Sequence, residues 1–359
     1  MVLSSWYPTE LHPYLGNFVE NQANLMSKEY QVTFLRLLPM GEKIPTPTTA
    51  VNFQYVTVFY KHSRCSLLNY FAKKKAIQHA LKNLTKVDLI HAHVLHPNGW
   101  QFRLAKKMLK CPLVVTEHAS YFATNFIWSK RMQWNIQKTM QKADVLIAVS
   151  SFLAQAIEKR LHVLPHQIIG NPVDLNAFSN IPKLDDTIRF LHISTMSAVK
   201  NVKPILEAFK QVLENYPKAQ LTIVSDEDST AIQQFAKQLG IQNSVVFAGP
   251  TEHSKMATYY QQASCFVLNS HFETFSIVVA EAWACGIPVI STPVGIACKP
   301  NEGALIHTDG TTKSIAQAML QFIENKANFD SSYIRSKATP FASETIFNQL
   351  NKVYNRLIG

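Results

Sequence analysis

Residues 263–295 read ASCFVLNSHFETFSIVVAEAWACGIPVISTPVG, and this stretch decides the fold. Cys265 to Leu268 is a short apolar run bounded by polar residues, the pattern of a buried strand. A polar loop, Asn269 to Thr274, follows it. A helix is expected from near Phe275, capped by a side-chain oxygen of Thr274 or Ser276. A second, mainly apolar run, IPVIS (287–291), closes the unit. Strand, helix and strand in that order belong to a parallel sheet. A helix that begins at the C-terminal edge of a parallel strand turns free N–H groups and its positive dipole end outward, which makes a phosphate site.

Two carboxylates frame that helix start: Glu273 in the loop and Glu281 about two turns into the helix. FSIVVAEAWAC is apolar on nearly every face, so the Glu281 carboxylate must find partners or carry a large desolvation cost. Hydroxyls of a ribose or hexose would serve, and so would a lysine of the same domain.

The same alternation runs through the rest of the chain. In the first half, strands are expected at 31–37, 87–91, 112–116 and 144–149, with helices at 16–28, 64–84, 99–109 and 151–160. A second series has strands near 188–193, 220–224, 244–247, 265–269 and 287–291. Its helices lie near 202–215, 229–239, 253–262, 275–285 and 312–324. Asn-Pro and Ile-Pro turns with Asp185-Asp186 mark 170–187 as the linker. The fold class is therefore α/β, in two domains, and the length of 359 residues suits two cores.

Composition removes several alternatives. Hydrophobic residues make up 47% and charged residues 16%, which fits a globular chain and not a disordered one. No apolar run reaches the roughly 18 residues of a membrane span, and MVLSSWYPTE lacks the features of a secretory signal. Cys65, Cys111, Cys265, Cys285 and Cys298 are odd in number and widely spaced, which speaks for a reducing cytoplasm and against disulfides or zinc. The net charge of +11 is unevenly placed. Residues 1–165 hold 20 basic and 8 acidic side chains, and the remainder 15 and 16. Such a first half suits an anionic partner, either nucleic acid or a phospholipid surface. No nucleic-acid motif or aromatic platform accompanies the charge, so a nucleic-acid partner is not expected.

Glu273, seven intervening residues and Glu281, followed by AWACGIPVISTPVG, resemble the donor-site signature of retaining glycosyltransferase family 4. The resemblance implies the GT-B fold, two Rossmann-like domains facing across a cleft. It implies domains at 1–165 (acceptor) and 166–340 (nucleotide-sugar), with a helix at 341–359 crossing back to the first. In that family the first Glu contacts the transferred sugar and the second holds the ribose. Backbone amides, here at Phe275 and Ser276, hold the diphosphate. HISTMSAVKNVKPILEAF (192–209) resembles the family loop where an Arg and a Lys neutralise that diphosphate. Lys200 matches the Lys, and Thr195 stands where the Arg is usual, with Lys203 as one substitute.

The likeness extends through the first half. SSWYPTELHPYLGNFVENQANL (4–25) resembles the family's opening loop, in which Gly16 would let the backbone approach donor phosphate and acceptor. His118 in VVTEHASYF matches the family histidine beside the reacting sugar, where it hydrogen-bonds and orients. His91, His93 and His96 lack a carboxylate cluster for a metal, and the family implies none, so no cofactor is expected. IIGNPVDLNAF (168–178) and VVFAGPTEHSKMATYYQQA (245–263) resemble the segments before the linker and around the nucleobase.

The expectation is a cytoplasmic retaining glycosyltransferase, with catalytic residues His118 and Glu273. Donor-binding residues are Gly16, Thr195, Lys200, Phe275, Ser276 and Glu281. The donor would be a UDP- or GDP-sugar, and the acceptor a glycan or lipid-linked hydroxyl in cell-surface polysaccharide or glycolipid synthesis. The basic first half suits peripheral attachment to the cytoplasmic face of an anionic inner membrane. The alternatives are a GT-B relative such as a nucleotide-sugar epimerase, a basic nucleic-acid-binding protein, or a non-catalytic partner.

Overall fold

The computed structural model describes residues 1–7, 15–44, 51–84, 86–124, 126–179 and 187–359, without the side chains of His253 and Ser254. Residues 180–186 of the expected linker, including Asp185-Asp186, and part of the opening loop lie outside the described residues. The chain forms two compact units: Met1–Pro172 together with Ile346–Gly359, and Val173–Thr345.

The first unit holds strands β1 (Val2–Ser4), β2 (Thr33–Pro39), β3 (Gln54–Tyr60), β4 (Ile90–His93), β5 (Leu113–Glu117), β6 (Val145–Ala148) and β7 (Gln167–Ile168). They form one parallel sheet in the order β3-β2-β1-β4-β5-β6-β7. The order reverses between β1 and β4, which opens a crevice at their C-terminal edges. Strands β4, β5 and β6 are buried along their whole length, as an interior parallel strand requires. The edge strand β3 is half-exposed and mixes polar with apolar residues, so the search for apolar runs does not reveal it. Helix Lys130–Lys142 also falls outside the expected elements; its exposed face is strongly polar, and Ser129 caps it by accepting from the Met132 N–H.

Ile346, Leu350, Val353 and Tyr354 pack into the same core as Val2, Val19, Ala23 and Phe34. Tyr354 also pairs through its hydroxyl with His91 Nδ1 at 2.6 Å. Residues 346–359 therefore belong physically to the first unit.

The second unit contains β8 (Arg189–Ile193), β9 (Gln220–Val224), β10 (Val245–Ala248), β11 (Cys265–Leu268), β12 (Val289–Ser291) and β13 (Leu305–His307). Its sheet is also parallel, in the order β10-β9-β8-β11-β12-β13. The reversal falls between β8 and β11. Helices Lys203–Asn215 and Thr312–Glu324 bury Leu206, Phe209, Met319 and Phe322 against this sheet.

Candidate active site

In the second unit, the loops leaving β8 and β11 meet at the switch point. The His271 N–H donates to Val199 O at 2.8 Å, and Asn269 Nδ2 donates to Asn201 O at 3.0 Å. Those bonds tie the Lys200 turn to the loop that carries Glu273. Lys200 Nζ then lies 2.5 Å from Glu273 Oε1, which also accepts from Ser270 Oγ at 2.8 Å. Both partners of the ion pair are largely shielded, with side chains 21% and 14% exposed. Under Lys200, His192 is fully buried. Its Nδ1 donates to Val267 O at 2.8 Å, and burial lowers its pKa to about 4.

The helix expected from Phe275 spans Ile277–Ala284. Ser276 occupies its N-cap position but makes no side-chain cap, which corrects the expected cap by Ser276. The reason is conformational: Ser276 is left-handed, with φ 71°, and its hydroxyl is buried without a partner. A Cβ on Gly295 would meet Phe275 O at 2.5 Å and Ser276 Oγ at 2.6 Å, so only glycine lets that segment close on the helix start. In the first turn the Val279 N–H donates to Ser276 O at 3.0 Å, whereas those of Ile277 and Val278 have no intrahelical acceptor, and the turn carries no acidic side chain. Phe275 itself is buried, edge-on to Phe341. Glu281 is 4% exposed and finds a neutral partner: its Oε2 accepts from the Tyr260 hydroxyl at 2.9 Å. Thr195 is half-buried, with its hydroxyl 3.1 Å from Ser197 Oγ. Lys203 lies over the Phe235 ring, 5.3 Å from its centre.

In the first unit, the C-terminal edges of β4 and β5 carry a buried histidine pair. His93 Nδ1 lies 3.1 Å from His118 Nε2, while His118 Nδ1 is buried without a partner. The Phe18 ring covers His118 at 4.3 Å. Burial pushes the His93 pKa down to about 3 and that of His118 well below its usual value, so both rings are neutral at pH 7. His91 is engaged on both nitrogens, by Tyr354 and by Thr116 Oγ1 at 2.7 Å. Among the described residues, no three His, Cys, Asp or Glu side chains gather as metal ligands.

Glu117, absent from the expected site residues, organises this edge. It is fully buried and accepts from the His118 and Ala119 N–H groups at 2.8 and 2.9 Å and from the Leu95 N–H at 3.1 Å. The Leu95 bond holds the chain just after Val94, whose φ of 56° is a costly conformation for a β-branched residue. Gly16, with φ 81°, starts helix Asn17–Met26. A Cβ there would sit 2.6 Å from Trp6 O, so the close approach this glycine permits is to the chain's own backbone.

Comparison with known proteins identifies the arrangement. The family model "Glycosyltransferase Family 4" matches residues 15–177, and that for "Glycosyl transferases group 1" matches 175–338. The chain belongs to the group 1, family 4 glycosyltransferases.

Among its relatives, N-acetyl-alpha-D-glucosaminyl L-malate synthase of Bacillus anthracis is 24% identical over 75% of this chain and 74% of its own length. Alpha-monoglucosyldiacylglycerol synthase of Streptococcus pneumoniae is 25% identical over 57% of this chain and about half of its own length, 52%. The fold matches sucrose-phosphate synthase of Thermosynechococcus elongatus, with a TM-score of 0.76, 19% identity, and 95% and 92% of the two chains covered. It matches HepE of Anabaena, solved with UDP, with a TM-score of 0.76, 17% identity and 99% of each chain covered. The fold is thus GT-B, with two Rossmann-like units, and the enzyme is a glycosyltransferase.

Against this family, the structure brings Lys200, Glu273 and the helix start at Ser276 to one switch point, with Thr195 on the loop after β8. Glu281 lies in the helix behind them. His118 and Gly16 belong to the first unit. Sequence reasoning misses Glu117, His93 as the partner of His118, and Tyr260 as the partner of Glu281. For Glu117 a signal is present: a carboxylate ending an unbroken apolar run is placed to bond the backbone of the loop that follows.

Proposed function

We propose that this glycosyltransferase moves a sugar, with retention, from a UDP- or GDP-sugar to a hydroxyl of a glycan or lipid-linked acceptor. The observation that carries the reading is the convergence at the β8/β11 switch point of a lysine, a carboxylate and an uncapped helix start free of acidic side chains. That set matches the two ends of a nucleotide sugar: positive charge and N–H groups for a diphosphate, an acceptor of hydroxyl hydrogens for the sugar. In this reading Lys200, the N–H groups near Phe275 and Ser276 and the Thr195 loop hold the diphosphate. Glu273 orients the sugar and Glu281 the ribose. Acceptor recognition falls to the first unit around Gly16 and His118, whose neutral ring hydrogen-bonds and does not act as a cation.

In the transfer step, the bond from the anomeric carbon to the phosphate oxygen breaks, and a bond to the acceptor oxygen forms on the same face. The acceptor proton passes to the departing phosphate oxygen, and the nucleoside diphosphate leaves. The counter-charge for that leaving group is assigned to Lys200 and the helix start, so transfer should persist in a chelator.

The membrane part of the reading rests on helix Ser66–Lys82. It exposes Leu67, Leu68 and Phe71 beside Lys74 and Lys75, an apolar and basic combination suited to an anionic bilayer. Lys106, by contrast, is paired with Asp144 at 2.6 Å. Among the described residues, no helix is long and apolar enough to cross a membrane.

Thermal shift with a series of UDP- and GDP-sugars tests the donor. One nucleotide should stabilise the chain, and Glu281→Gln should remove the shift. If Lys200→Ala and Glu273→Ala both left transfer unimpaired, the assignment would fail.

A further inference from the structure

The first unit contains a cavity of about 1080 Å³ to which the donor chemistry gives no role. One wall is formed by Gln54, Val56 and Val58, which alternation puts on one face of β3, ending at Tyr60. Another is helix Ser66–Lys82, which contributes Ala72, Ala76 and Ala80. These recur every four residues and so form one row along the helix. Methyl groups there leave open the space that larger side chains would fill in an ordinary helix–sheet contact.

The polar residues of the lining are unevenly charged. Lys61, Lys75 and His79 contribute to it, and among the described lining residues the one carboxylate, Asp88, is paired with Lys86 at 2.9 Å. The cavity is slightly larger than most small-molecule sites, which span about 300–1,000 Å³.

We propose that this cavity binds an acidic acyl lipid: an alkyl chain against Val56, Val58, Ala72 and Ala76, and an anionic head at Lys61 and Lys75. The site is separate from the donor residues, so the proposal stands or falls independently of the nucleotide assigned to them. A free fatty acid and a single-chain phospholipid share this chemistry.

The test uses the full chain, stripped of lipid, titrated with the fluorescent fatty acid cis-parinaric acid. Saturable binding at one molecule per chain is expected. Palmitate and lysophosphatidylglycerol serve as separate competitors. Displacement by palmitate alone makes the ligand a free acid, and displacement by the second makes it a phospholipid. Hexadecanol and hexadecyltrimethylammonium should compete at least tenfold more weakly.

Ala76→Trp should abolish binding by filling the space. Lys61→Glu with Lys75→Glu should weaken it at least tenfold. Circular dichroism melts establish that each variant is folded, and the lysine pair supplies the answer if Ala76→Trp is not. Absence of saturable binding, wild-type binding by folded Ala76→Trp or by the lysine variant, or equal competition by the neutral and cationic chains would each overturn the proposal.

Discussion

Lys200 Nζ and Glu273 Oε1 lie 2.5 Å apart, so the cation and the carboxylate assigned to the donor engage each other first. A diphosphate arriving at the helix start must draw Lys200 away from Glu273 and bear the repulsion of that carboxylate. Glu273→Gln keeps the shape and the hydroxyl contact but removes the negative charge. The free nucleoside diphosphate should then bind about tenfold more tightly, roughly 1.4 kcal/mol. Sugar transfer should fall by about 100-fold or more, because a group aimed at the reacting sugar is weakened. Calorimetric titration and initial rates on one preparation separate the two effects. Weaker nucleotide binding in the variant would show that Glu273 acts only as a buttress for Lys200.

Thr195 stands where the family resemblance implies an arginine, and its hydroxyl is occupied with Ser197 at 3.1 Å. A guanidinium there would add a fork of donors to the diphosphate, and charge-assisted bonds of that kind contribute about 1.5–3 kcal/mol. Thr195→Arg should therefore tighten nucleoside diphosphate binding by tenfold or more, with the gain shrinking as salt is raised. An unchanged dissociation constant would mean that the phosphates do not pass this loop.

His118 is covered by Phe18 and paired through Nε2 with His93, which leaves Nδ1 as the unpartnered ring atom, the one that the proposed acceptor role would use. Because both rings are neutral, the tautomer of His93 decides whether His118 donates or accepts at its own Nδ1. His93→Leu should lower kcat by on the order of tenfold with KM little changed, and His93→Asn should recover part of it. Nitrogen-15 spectra of the His118 ring should show one tautomer in the wild type and a mixture in His93→Leu. If His118→Ala impairs transfer while His93→Leu is silent, the pair merely packs.

Much of this architecture is legible in the amino-acid pattern, for a physical reason. Interior parallel strands such as β11 are buried on both faces and leave an unbroken apolar signature. Carboxylates in such surroundings, such as Glu281, stand out by their cost. The edge strand β3 is half-exposed, and its mixed QYVTVFY lacks that signature. The expected Ser276 cap does not form because a left-handed residue turns its hydroxyl away from the first-turn N–H groups, and φ is not written in a serine. The partnerships His93–His118 and Tyr260–Glu281 join residues 25 and 21 positions apart, and only the folded chain brings them together.

Glu117 is expected to be structural in effect though it borders His118. Three backbone N–H groups end on its carboxylate in a fully buried place, and burial raises its pKa despite them. Glu117→Ala would leave those donors unmet at about 1–3 kcal/mol each, so a loss of at least about 3 kcal/mol is expected in urea unfolding. A loss below about 1 kcal/mol would show that water replaces the carboxylate, and that the loop after β4 does not depend on it.

The buried histidines set the response to acid. His91, His93, His118 and His192 all have folded-state pKa values depressed by burial, to about 3 for His93 and about 4 for His192. In the unfolded chain each takes up a proton near 6.5, while in the fold each stays neutral. The stability they permit is complete above pH 6.5. It is lost as the pH falls from there toward the folded values, by up to about 1.4 kcal/mol per pH unit for each histidine. Glu117 and Glu20 work in the opposite sense, since burial raises both pKa values and so favours the fold at low pH, but they are two groups against four. Urea midpoints measured at pH 7.5, 6.0 and 5.0 should therefore fall steeply, and transfer should be lost with them. His192→Gln removes one titrating group, so its midpoint should depend less on pH than that of the wild type. Identical slopes in the two proteins would mean that His192 is already protonated in the fold.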